Sequence, residues 1–299
     1  PPLFGQEIVD ALDLQRQMAH VKGHQMAKAG IEMAIWDLIG KMQGCSVREL
    51  LGGNRTKVDV GVSIGIQGSP SQLLKVVENY LKDGYQRVKI KIKPGRDVAD
   101  TQAVRDAFLD LRLQVDANSA YDLETADSLK PLDDMDLLLI EQPLAEDDLW
   151  DHRMLQARFK TPICLDESIT SLRHARQAIE MKSCRVVNIK QGRVGGLSQG
   201  VAIHNFCKNQ SIPVWCAGML ETGLGRAANL ALASLPNFTL PGDISATDRY
   251  YIQDITQERF VLNNDSTIDV PEGLGLGVNI DRDALGKFTL SHKDLSLRS

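Results

Sequence analysis

The sequence predicts an α/β fold whose body is a (βα)₇β TIM-type barrel. Short apolar runs alternate with amphipathic segments eight times along the 299 residues, as expected of repeated strand and helix units. The runs are nearly continuous in apolar residues, which is typical of parallel strands covered by helices on both faces. Five consecutive runs also carry a charged residue at their end. An open doubly wound sheet is the structural alternative to the closed barrel.

The first part of the chain is predicted to be helical. Apolar residues recur at helical spacing between residues 25 and 51, and Gly52-Gly53 ends the pattern. The positions that define this pattern are Met26, Ile31, Ala34, Ile35, Leu38 and Ile39.

The middle of the chain contains the strand candidates, which are, in order, VDVGVSIG, RVKIKI, LRLQVDAN, LLLIEQP, PICLDES, VVNIK, PVWCAG and FTLPGDI. Helical periodicity predicts helices between them, over residues 71–82, 99–110, 123–129, 149–159, 172–181, 197–209 and 225–234. After about residue 247 the sequence becomes mixed and rich in turns, with EGLGLG as an example. We expect this tail to cover the barrel or to join a neighbouring domain.

Charge and cysteine content exclude several classes of function. The chain carries 34 Lys and Arg against 39 Asp and Glu, a net charge of -5, without long runs of one sign. This distribution does not indicate a surface for nucleic acid or for a membrane. The five cysteines are widely spaced and contain no C-x-x-C pair, which favours reduced thiols and a cytoplasmic location. No apolar run approaches the roughly 18 residues of a membrane span, and we expect no signal peptide.

The stretch VKIKIKP, residues 88–94, alternates apolar and cationic side chains. Successive side chains on a strand point to opposite faces, so Val88 and Ile90 share one face while Lys89 and Lys91 share the other. Lysines that simply reach solvent would be the ordinary explanation of such a strand. The charged residues on the later strands favour a different explanation, in which these lysines point into the mouth of the barrel.

Charged residues end four further candidate strands, in the strings VDAN, IEQP, LDES and NIKQ. After Lys91, the residues Asp116, Glu141 and Asp166 follow at intervals of 25, and Lys190 comes 24 residues later. Each interval matches one unit of strand plus helix, so the five groups are expected at the same height, where five consecutive strands end. If these charged residues simply reached water at the ends of their strands, there would be no reason for them to follow one another at such regular intervals.

Three carboxylates at one barrel mouth imply a compensating cation. They would repel one another by roughly 12 kcal/mol in all, from ~4 kcal/mol per pair at about 4 Å and an effective dielectric of about 20. Oxygen ligands of this kind favour Mg²⁺ or Mn²⁺ over Zn²⁺. A neutral lysine beside such a metal could remove the α-proton of a bound carboxylate and leave a stabilised enediolate. We hypothesise that Lys89 and the metal lower the pKa of Lys91 for this purpose.

These residues resemble the pattern of the enolase superfamily in its muconate-lactonizing subgroup, which has K-x-K on strand two, Asp, Glu and Asp on strands three to five, and Lys on strand six. A Lys or His base with Mg²⁺ is a known feature of that superfamily. Within the subgroup, five strings are similar to the family of o-succinylbenzoate synthases and N-succinylamino acid racemases. They are VDANSAYDLETA, IEQPLAEDDLWDH, CLDESITS, NIKQGRVGGL and the most discriminating, GMLETGLGRAANLALASLPNFTLPGDISATDRYY.

The resemblance implies a partial α+β capping domain beside the barrel. It divides the chain into a helical part of the capping domain over 1–57, the (βα)₇β barrel over 58–246, and a C-terminal segment over 247–299 that returns to the capping domain. In the family the capping domain begins with strands that carry a mobile specificity loop. Nothing before Gln25 shows that pattern, so the N-terminal strands are expected to be missing from this sequence.

The resemblance also implies a role for each of the five strand-end groups. Asp116, Glu141 and Asp166 would bind Mg²⁺, with Mn²⁺ as the alternative. Lys91 would be the base that returns its proton to the departing hydroxyl. Lys190 would stabilise the enolate from the opposite side and act as the second base in a racemisation.

Further positions are implied in supporting or substrate-binding roles. Lys89 and Asn118 would support the groups that touch the metal. Ser63, near the end of the first strand, and Gly218-Met219, after the seventh, are expected substrate contacts.

The activity implied is that of a Mg-dependent o-succinylbenzoate synthase, a lyase that dehydrates 2-succinyl-6-hydroxy-2,4-cyclohexadiene-1-carboxylate in menaquinone biosynthesis. Racemisation of N-succinylamino acids by the same two lysines is the alternative, and no sequence feature separates the two. A metal-free aldolase that forms a Schiff base at Lys190 is a more distant interpretation, against which the three acids argue. A non-catalytic binding barrel should lack at least one of the five groups. The expected partner is a small-molecule carboxylate, and a homo-oligomer is expected.

Three features are interpreted without a functional role. His20 and His24 have the spacing of helical metal ligands, but no H-E-x-x-H pattern accompanies them, and we expect both in solvent. The string QGRVGGLSQG does not fit G-x-G-x-x-G and is interpreted as the turn after strand six. Lys93 matches no required family position and is expected to be solvated.

Overall fold

A computed structural model of the protein describes residues 6–293. Its centre is a seven-stranded parallel sheet in which the strands lie side by side in chain order, from β2 to β8. A separate antiparallel pair joins β1 to β9. The strands are β1 (Lys57–Asp59), β2 (Val62–Ile64), β3 (Arg87–Lys91), β4 (Arg112–Asp116), β5 (Ile140–Glu141), β6 (Ile163–Leu165), β7 (Val186–Ile189), β8 (Val214–Cys216) and β9 (Thr267–Asp269).

Helices lie before, between and after the strands. They are α1 (Ala11–Gln17), α2 (Gln25–Gln43), α3 (Val47–Leu51), α4 (Pro70–Lys82), α5 (Asp97–Ala107), α6 (Leu149–Arg158), α7 (Leu172–Glu180), α8 (Gln191–Val194), α9 (Leu197–Asn209), α10 (Gly223–Ala233) and α11 (Arg282–Phe288), with 3₁₀ helices at Ala126–Asp134 and Thr247–Arg249. Side-chain caps begin several of them, as where Ser69 accepts the backbone N–H of Gln72 at the start of α4. Among residues 6–293, no helix combines the length and the apolar content needed to cross a membrane.

The eighth predicted strand does not form as a strand. The string FTLPGDI makes only isolated parallel bridges. Phe238 pairs with Val214 of β8, Asp243 with Ala217 just after β8, and Gly242 with Val60 between β1 and β2. Pro241 has no N–H to give to a ladder, which limits regular pairing here. The segment nevertheless closes the barrel, because the Asp243 N–H donates to Cys216 O at 3.0 Å and Gly242 O accepts the Gly61 N–H at 2.8 Å.

The strands bury their two faces in different surroundings. On β3, Val88 and Ile90 belong to the large apolar core between the sheet and the surrounding helices. A small second cluster fills the barrel interior and consists of Leu139, Cys164, Val186, Trp215 and Ala217. The lysines of β3 lie on this interior side, since Lys89 contacts the Trp215 ring. The predicted alternation of VKIKIKP is therefore present, and its cationic face looks into the barrel.

The first region is helical as predicted, but much of its apolar pattern lies on the outer face of α2. The helix α2 ends at Gly44, which has a φ of 70°, and α3 follows it. Met26, Ile31 and Leu38 are 56%, 44% and 51% exposed, so these members of the apolar pattern face outward. The buried positions of α2 are instead Ala29, Glu32 and Gly40. The helix packs on the barrel through these positions and through the half-buried side chains of Met33 and Trp36.

Other local predictions need correction. The helix predicted over 123–129 is a 3₁₀ helix shifted to Ala126–Asp134, and it contains Pro131, which cannot donate a helical hydrogen bond. The helices α1, α8 and α11 were not predicted. The described residues before Gln25 form α1 and no strand. His20 and His24 are both exposed, as expected, and His24 with a φ of 55° precedes α2 instead of lying on a helix face.

The C-terminal segment returns to the N-terminal helices. Gly275 O accepts the Val47 N–H at 2.7 Å, and Asp37 Oδ1 of α2 accepts the Leu276 N–H at 2.8 Å. Gly275 has a φ of 66°, and a Cβ there would lie 2.2 Å from Asp37 Oδ1, so only glycine allows this approach. These contacts agree with a tail that covers the helical part, while the domain boundaries remain a prediction.

Candidate active site

Five charged groups meet at the carboxyl ends of consecutive strands. Lys91, Asp116 and Glu141 lie in one register across β3, β4 and β5. Lys91 Nζ lies 2.6 Å from Asp116 Oδ2, and Lys190 Nζ lies 2.7 Å from Asp166 Oδ2. The carboxyl-terminal mouth is where barrel enzymes carry their catalytic residues. The structure therefore brings together the groups that the 25-residue spacing predicted to be neighbours.

The ammonium group of Lys89 lies beneath this mouth and bridges three carboxylates. Its Nζ is 2.7 Å from Glu141 Oε2, 3.1 Å from Asp116 Oδ2 and 2.6 Å from Asp243 Oδ2, and the side chain is 3% exposed. Burial by itself lowers the pKa of Lys89, but the charges of Asp243, Glu141 and Asp116 outweigh burial and raise it well above the usual value. Lys89 is therefore a fixed positive charge inside the barrel.

The three predicted metal ligands are all buried, and they influence one another. Burial raises the pKa of Glu141, and the charges of Asp116 and Asp166 raise it further against the opposing effect of Lys89. For Asp116, burial is outweighed by the two lysines that contact its Oδ2, Lys89 and Lys91, so its pKa is lowered. Three carboxylates close enough to repel in a buried site favour an added cation.

The oxygens of these carboxylates are held by donors from the protein. Asn188 Nδ2 donates to Glu141 Oε1 at 2.8 Å, the Asn118 N–H donates to Asp116 Oδ1 at 3.0 Å, and Arg193 contacts Asp166 Oδ1. These contacts turn the carboxylate oxygens toward protein donors. Within residues 6–293, no three His, Cys, Asp or Glu side chains are arranged around one point as metal ligands would be. The chemistry of Asp116, Glu141 and Asp166 nevertheless fits a hard divalent cation, since three buried carboxylates supply only oxygen ligands.

A polar pair extends the site on the Lys91 side. Lys91 Nζ donates to Asn118 Oδ1 at 2.6 Å, and Asn118 Nδ2 donates to Glu167 Oε1 at 3.0 Å. Asn118 has a φ of 44°, a conformation that Asn tolerates better than most residues. Burial, followed by the charge of Asp166, raises the pKa of Glu167. Asn118 was predicted here, whereas Glu167 was not.

The predicted substrate contacts lie around the same opening. Ser63 pairs with Lys89 in register between β2 and β3, which directs both side chains to the barrel interior. Gly218 follows β8 and donates its N–H to Asp243 O at 3.2 Å. Met219 is partly exposed and donates its N–H to Glu221 Oε1 at 3.1 Å. Their contact with substrate remains a prediction. Lys93, beyond the end of β3, is exposed as expected.

Two charged groups beneath the mouth were missed by the sequence analysis. Asp243 lies in the segment that closes the barrel and binds both Lys89 and Arg87, whose Nη1 is 2.6 Å from Asp243 Oδ1. Arg87 and Lys89 both lie over the Trp215 ring, at 5.6 and 4.9 Å from its centroid. Asp243 lies one residue before the end of the eighth candidate strand, FTLPGDI, so the pattern of charged residues near strand ends contained a signal for it.

A third missed group lies beside Lys190. Arg193 contacts the other oxygen of Asp166 from one turn further along the chain. The spacing of three residues from Lys190 places both side chains on one side of the short helix α8, and this was the available signal.

The arrangement presents two lysines on opposite flanks of a buried carboxylate cluster. Lys91 reaches Asp116 from β3, while Lys190 reaches Asp166 from the end of β7. Two amines placed in this way can exchange protons with the two faces of one substrate carbon. The buried carboxylates and the ammonium group of Lys89 are the charged groups that lie between the two lysines.

Comparison with known proteins agrees with this geometry. Residues 72–284 match the enolase C-terminal domain-like family, and residues 2–52 match the N-terminal domain of the mandelate racemase and muconate lactonizing enzyme family. An o-succinylbenzoate synthase of Bacillus subtilis strain 168 is 49% identical over 288 residues, covering 96% of this chain and 77% of the relative. An N-succinylamino acid racemase of an Amycolatopsis species is 52% identical over 279 residues, covering 93% and 75%.

A solved structure supports the same assignment. The crystal structure of an enolase superfamily member from Listeria innocua Clip11262 matches with a TM-score of 0.92 at 44% identity, covering 96% of this chain and 77% of that one. The fold, the family matches and the relatives agree, and all place the parallel barrel in one group of enzymes. The chain therefore belongs to the enolase superfamily, as a member of the mandelate racemase and muconate lactonizing enzyme family.

Proposed function

We propose that this enzyme is an o-succinylbenzoate synthase that dehydrates 2-succinyl-6-hydroxy-2,4-cyclohexadiene-1-carboxylate. The observation that carries the proposal is the pair of lysines, each bound to a different buried carboxylate across the barrel mouth, Lys91 to Asp116 and Lys190 to Asp166. The name of the Bacillus subtilis relative supports the choice of substrate. A role in menaquinone biosynthesis, in the cytoplasm, follows from the same proposal.

The proposed cofactor is Mg²⁺, with Mn²⁺ as an alternative. Asp116, Glu141 and Asp166 would hold it, because their oxygens suit a hard cation and their mutual repulsion is relieved by one. When bound, the metal would polarise the substrate carboxylate and stabilise the enediolate charge. Asn188, which donates to Glu141 Oε1, would orient that carboxylate from outside.

Lys91 is the proposed base of the dehydration. In neutral form its amine removes the α-proton, the bond from the ring carbon to the hydroxyl oxygen breaks, and Lys91 returns the proton to the leaving oxygen as water. An unperturbed lysine is neutral only ~0.04% of the time at pH 7, so the amine needs an added positive charge close by, which a bound metal would supply. The ammonium group of Lys190 stabilises the negative charge on the opposite side of the substrate.

Racemisation of N-succinylamino acids is the second candidate function. Lys190 is placed on its carboxylate at 2.7 Å just as Lys91 is at 2.6 Å, so either amine is equipped to move a proton. The Amycolatopsis relative carries the corresponding name. One lysine would remove the α-proton and the other would return a proton from the opposite face.

The loss of the cyclohexadiene absorbance on adding purified enzyme with excess Mg²⁺ tests the leading proposal. We expect rapid loss that is blocked by EDTA and absent in Lys91→Ala. A folded, metal-loaded enzyme that leaves the absorbance unchanged would overturn the synthase proposal. Exchange of the α-proton of N-succinylamino acids in D₂O tests the second function on the same preparation.

The metal proposal has a test that does not depend on activity. A ligand that binds the folded state alone raises the melting temperature with concentration. We expect Mg²⁺ to raise the melting temperature of the wild-type enzyme, and Glu141→Gln to remove most of this rise. A melting temperature that is independent of Mg²⁺ would contradict the assignment of the three carboxylates.

A further inference from the structure

Lys190 lies in the turn after β7, and hydrogen bonds within residues 190–196 fix the backbone of this turn. Lys190 O accepts the N–H groups of Arg193 at 2.9 Å and Val194 at 3.1 Å, so the residue begins the short helix α8. Gly196 N–H then donates to Gln191 O at 2.9 Å. The segment from 190 to 196 is therefore one hydrogen-bonded unit that connects Lys190 to the start of α9.

The double glycine at the far end of this unit lies directly against α2. Gly195 and Gly196 have φ values of 95° and 129°, in the left-handed region that favours glycine. A Cβ on Gly196 would be 2.2 Å from Glu32 Oε2, and one on Gly195 would be 3.1 Å from Gln25 Oε1. The string QGRVGGLSQG is thus more than a turn, because its glycines make room for the side chains of α2.

Glu32 of α2 holds the next residues of this turn by their backbone. Its two oxygens accept the N–H of Leu197 at 2.6 Å and of Ser198 at 2.9 Å, and Gln15 Nε2 donates to it at 3.1 Å. Trp36, one turn along α2, donates its indole N–H to Ser198 Oγ at 3.2 Å. The carboxylate therefore caps the start of α9 from a helix 165 residues away in sequence.

The burial of Glu32 is complete and energetically demanding. The residue is 0% exposed, and burial raises its pKa despite the hydrogen bonds that it accepts. A buried carboxylate is unfavourable unless its oxygens are satisfied, and here the backbone of the Lys190 turn satisfies them. Its replacement by an apolar side chain would leave the N–H groups of Leu197 and Ser198 without these partners.

We propose that Glu32 is a positioning residue for Lys190, which it holds at the site by fixing the turn 190–198 against α2. The inference rests on the proposed function, because the role of Lys190 in proton transfer belongs to it. Lys91 has a different support, since it lies within β3 and pairs in register with β4. The two lysines should therefore respond differently to a change at Glu32.

The test compares Glu32→Gln with Glu49→Gln. Glu49 is an exposed carboxylate that accepts the Ser46 N–H at 2.8 Å at the start of α3, so its variant makes the same change from carboxylate to amide at a helix start away from the barrel turn. The readout is exchange of the α-proton for deuterium, measured separately for the two enantiomers of an N-succinylamino acid with Mg²⁺ present. Lys91→Ala and Lys190→Ala identify the enantiomer that each lysine serves.

We expect Glu32→Gln to slow exchange roughly tenfold for the enantiomer served by Lys190 and to leave the other within about twofold, because small misplacements of a catalytic group are costly. Glu49→Gln should leave the ratio of the two rates unchanged. Equal slowing of both enantiomers, or of neither, would overturn the proposal.

A second measurement on the substrate-free protein separates this inference from the proposed function. Backbone hydrogen exchange in Glu32→Gln should become faster over 190–198 and stay unchanged over β3. Unchanged exchange over 190–198 would overturn the inference. Absence of α-proton exchange in the wild-type enzyme would overturn the proposed racemase function. In that case the backbone hydrogen-exchange result by itself decides whether Glu32 fixes the turn that carries Lys190.

Discussion

The two flanks of the site carry the same chemistry on different supports. Lys91 lies at the end of β3, is 29% exposed, and pairs with Asp116 through the ladder of adjacent strands. Lys190 lies just beyond β7, is 12% exposed, and shares Asp166 with Arg193. The first flank depends on strand register, and the second on a turn packed against α2. A barrel can therefore hold one strand-end lysine by its sheet and the other by a helix outside the sheet.

The largest effect is expected from removing the amine on the β3 flank. Lys91→Ala should lower kcat for dehydration by roughly 10⁴, the upper range for loss of a general base, and should abolish exchange for one enantiomer. Lys93→Ala is the matched control, since Lys93 is exposed just beyond the same strand, and it should retain full activity. Steady-state kinetics on folded variants decide the matter, and a Lys91→Ala enzyme with near-normal kcat would remove Lys91 from the mechanism.

The β7 flank should separate the two candidate reactions. Lys190→Ala should abolish racemisation as completely as Lys91→Ala does, because each enantiomer needs its own base. In dehydration it should cost less, roughly 10² to 10³, because there the ammonium group supplies only charge stabilisation. Both rates can be measured on one preparation. Equal losses in the two reactions would show that Lys190 transfers a proton in dehydration as well, and the assigned roles would be wrong.

Stability should respond most to the lysine beneath both flanks. Lys89→Met leaves Glu141, Asp116 and Asp243 without their shared cation, and breaking a buried ion pair in this way costs about 3 to 5 kcal/mol of unfolding free energy. Urea unfolding followed by circular dichroism measures the loss. Lys41→Met, which removes an exposed pair with Asp37 on α2, should cost less than about 1 kcal/mol. Similar values for the two variants would contradict the central role given to Lys89.

The β3 flank was the easier one to predict from the sequence. Equal intervals of 25 residues from Lys91 through Asp116 to Glu141 reflect repeated strand and helix units, and periodicity of this kind is visible locally. The alternation in VKIKIKP likewise shows which side chains share a face. The barrel, its strand order and the neighbourhood of these groups follow from such patterns.

The β7 flank could be predicted only in part, because its support comes from contacts distant in sequence. Nothing near Glu32 indicates that it binds Leu197, and the apolar pattern that predicts the helix includes Met26 and Ile31, which are exposed. The closing segment shows the same difficulty, because Pro241 prevents a regular strand while Asp243 still reaches Lys89. Helical or strand periodicity describes an element, but not the partner that it meets.

The smallest effect we expect concerns the glycines where α2 meets the β7 flank. In Gly196→Ala the new Cβ would approach Glu32 Oε2 at 2.2 Å with a φ of 129°, so we expect a loss of about 1 to 3 kcal/mol in unfolding free energy. Gly30→Ala on α2 is the matched control, because a Cβ there meets nothing within 4 Å, and the better helix former should stabilise by about 0.5 to 1 kcal/mol. Chemical unfolding of both variants gives the difference directly. If Gly196→Ala were as stable as Gly30→Ala, the turn could move away from α2 without cost, and the contrast between the two flanks would not hold.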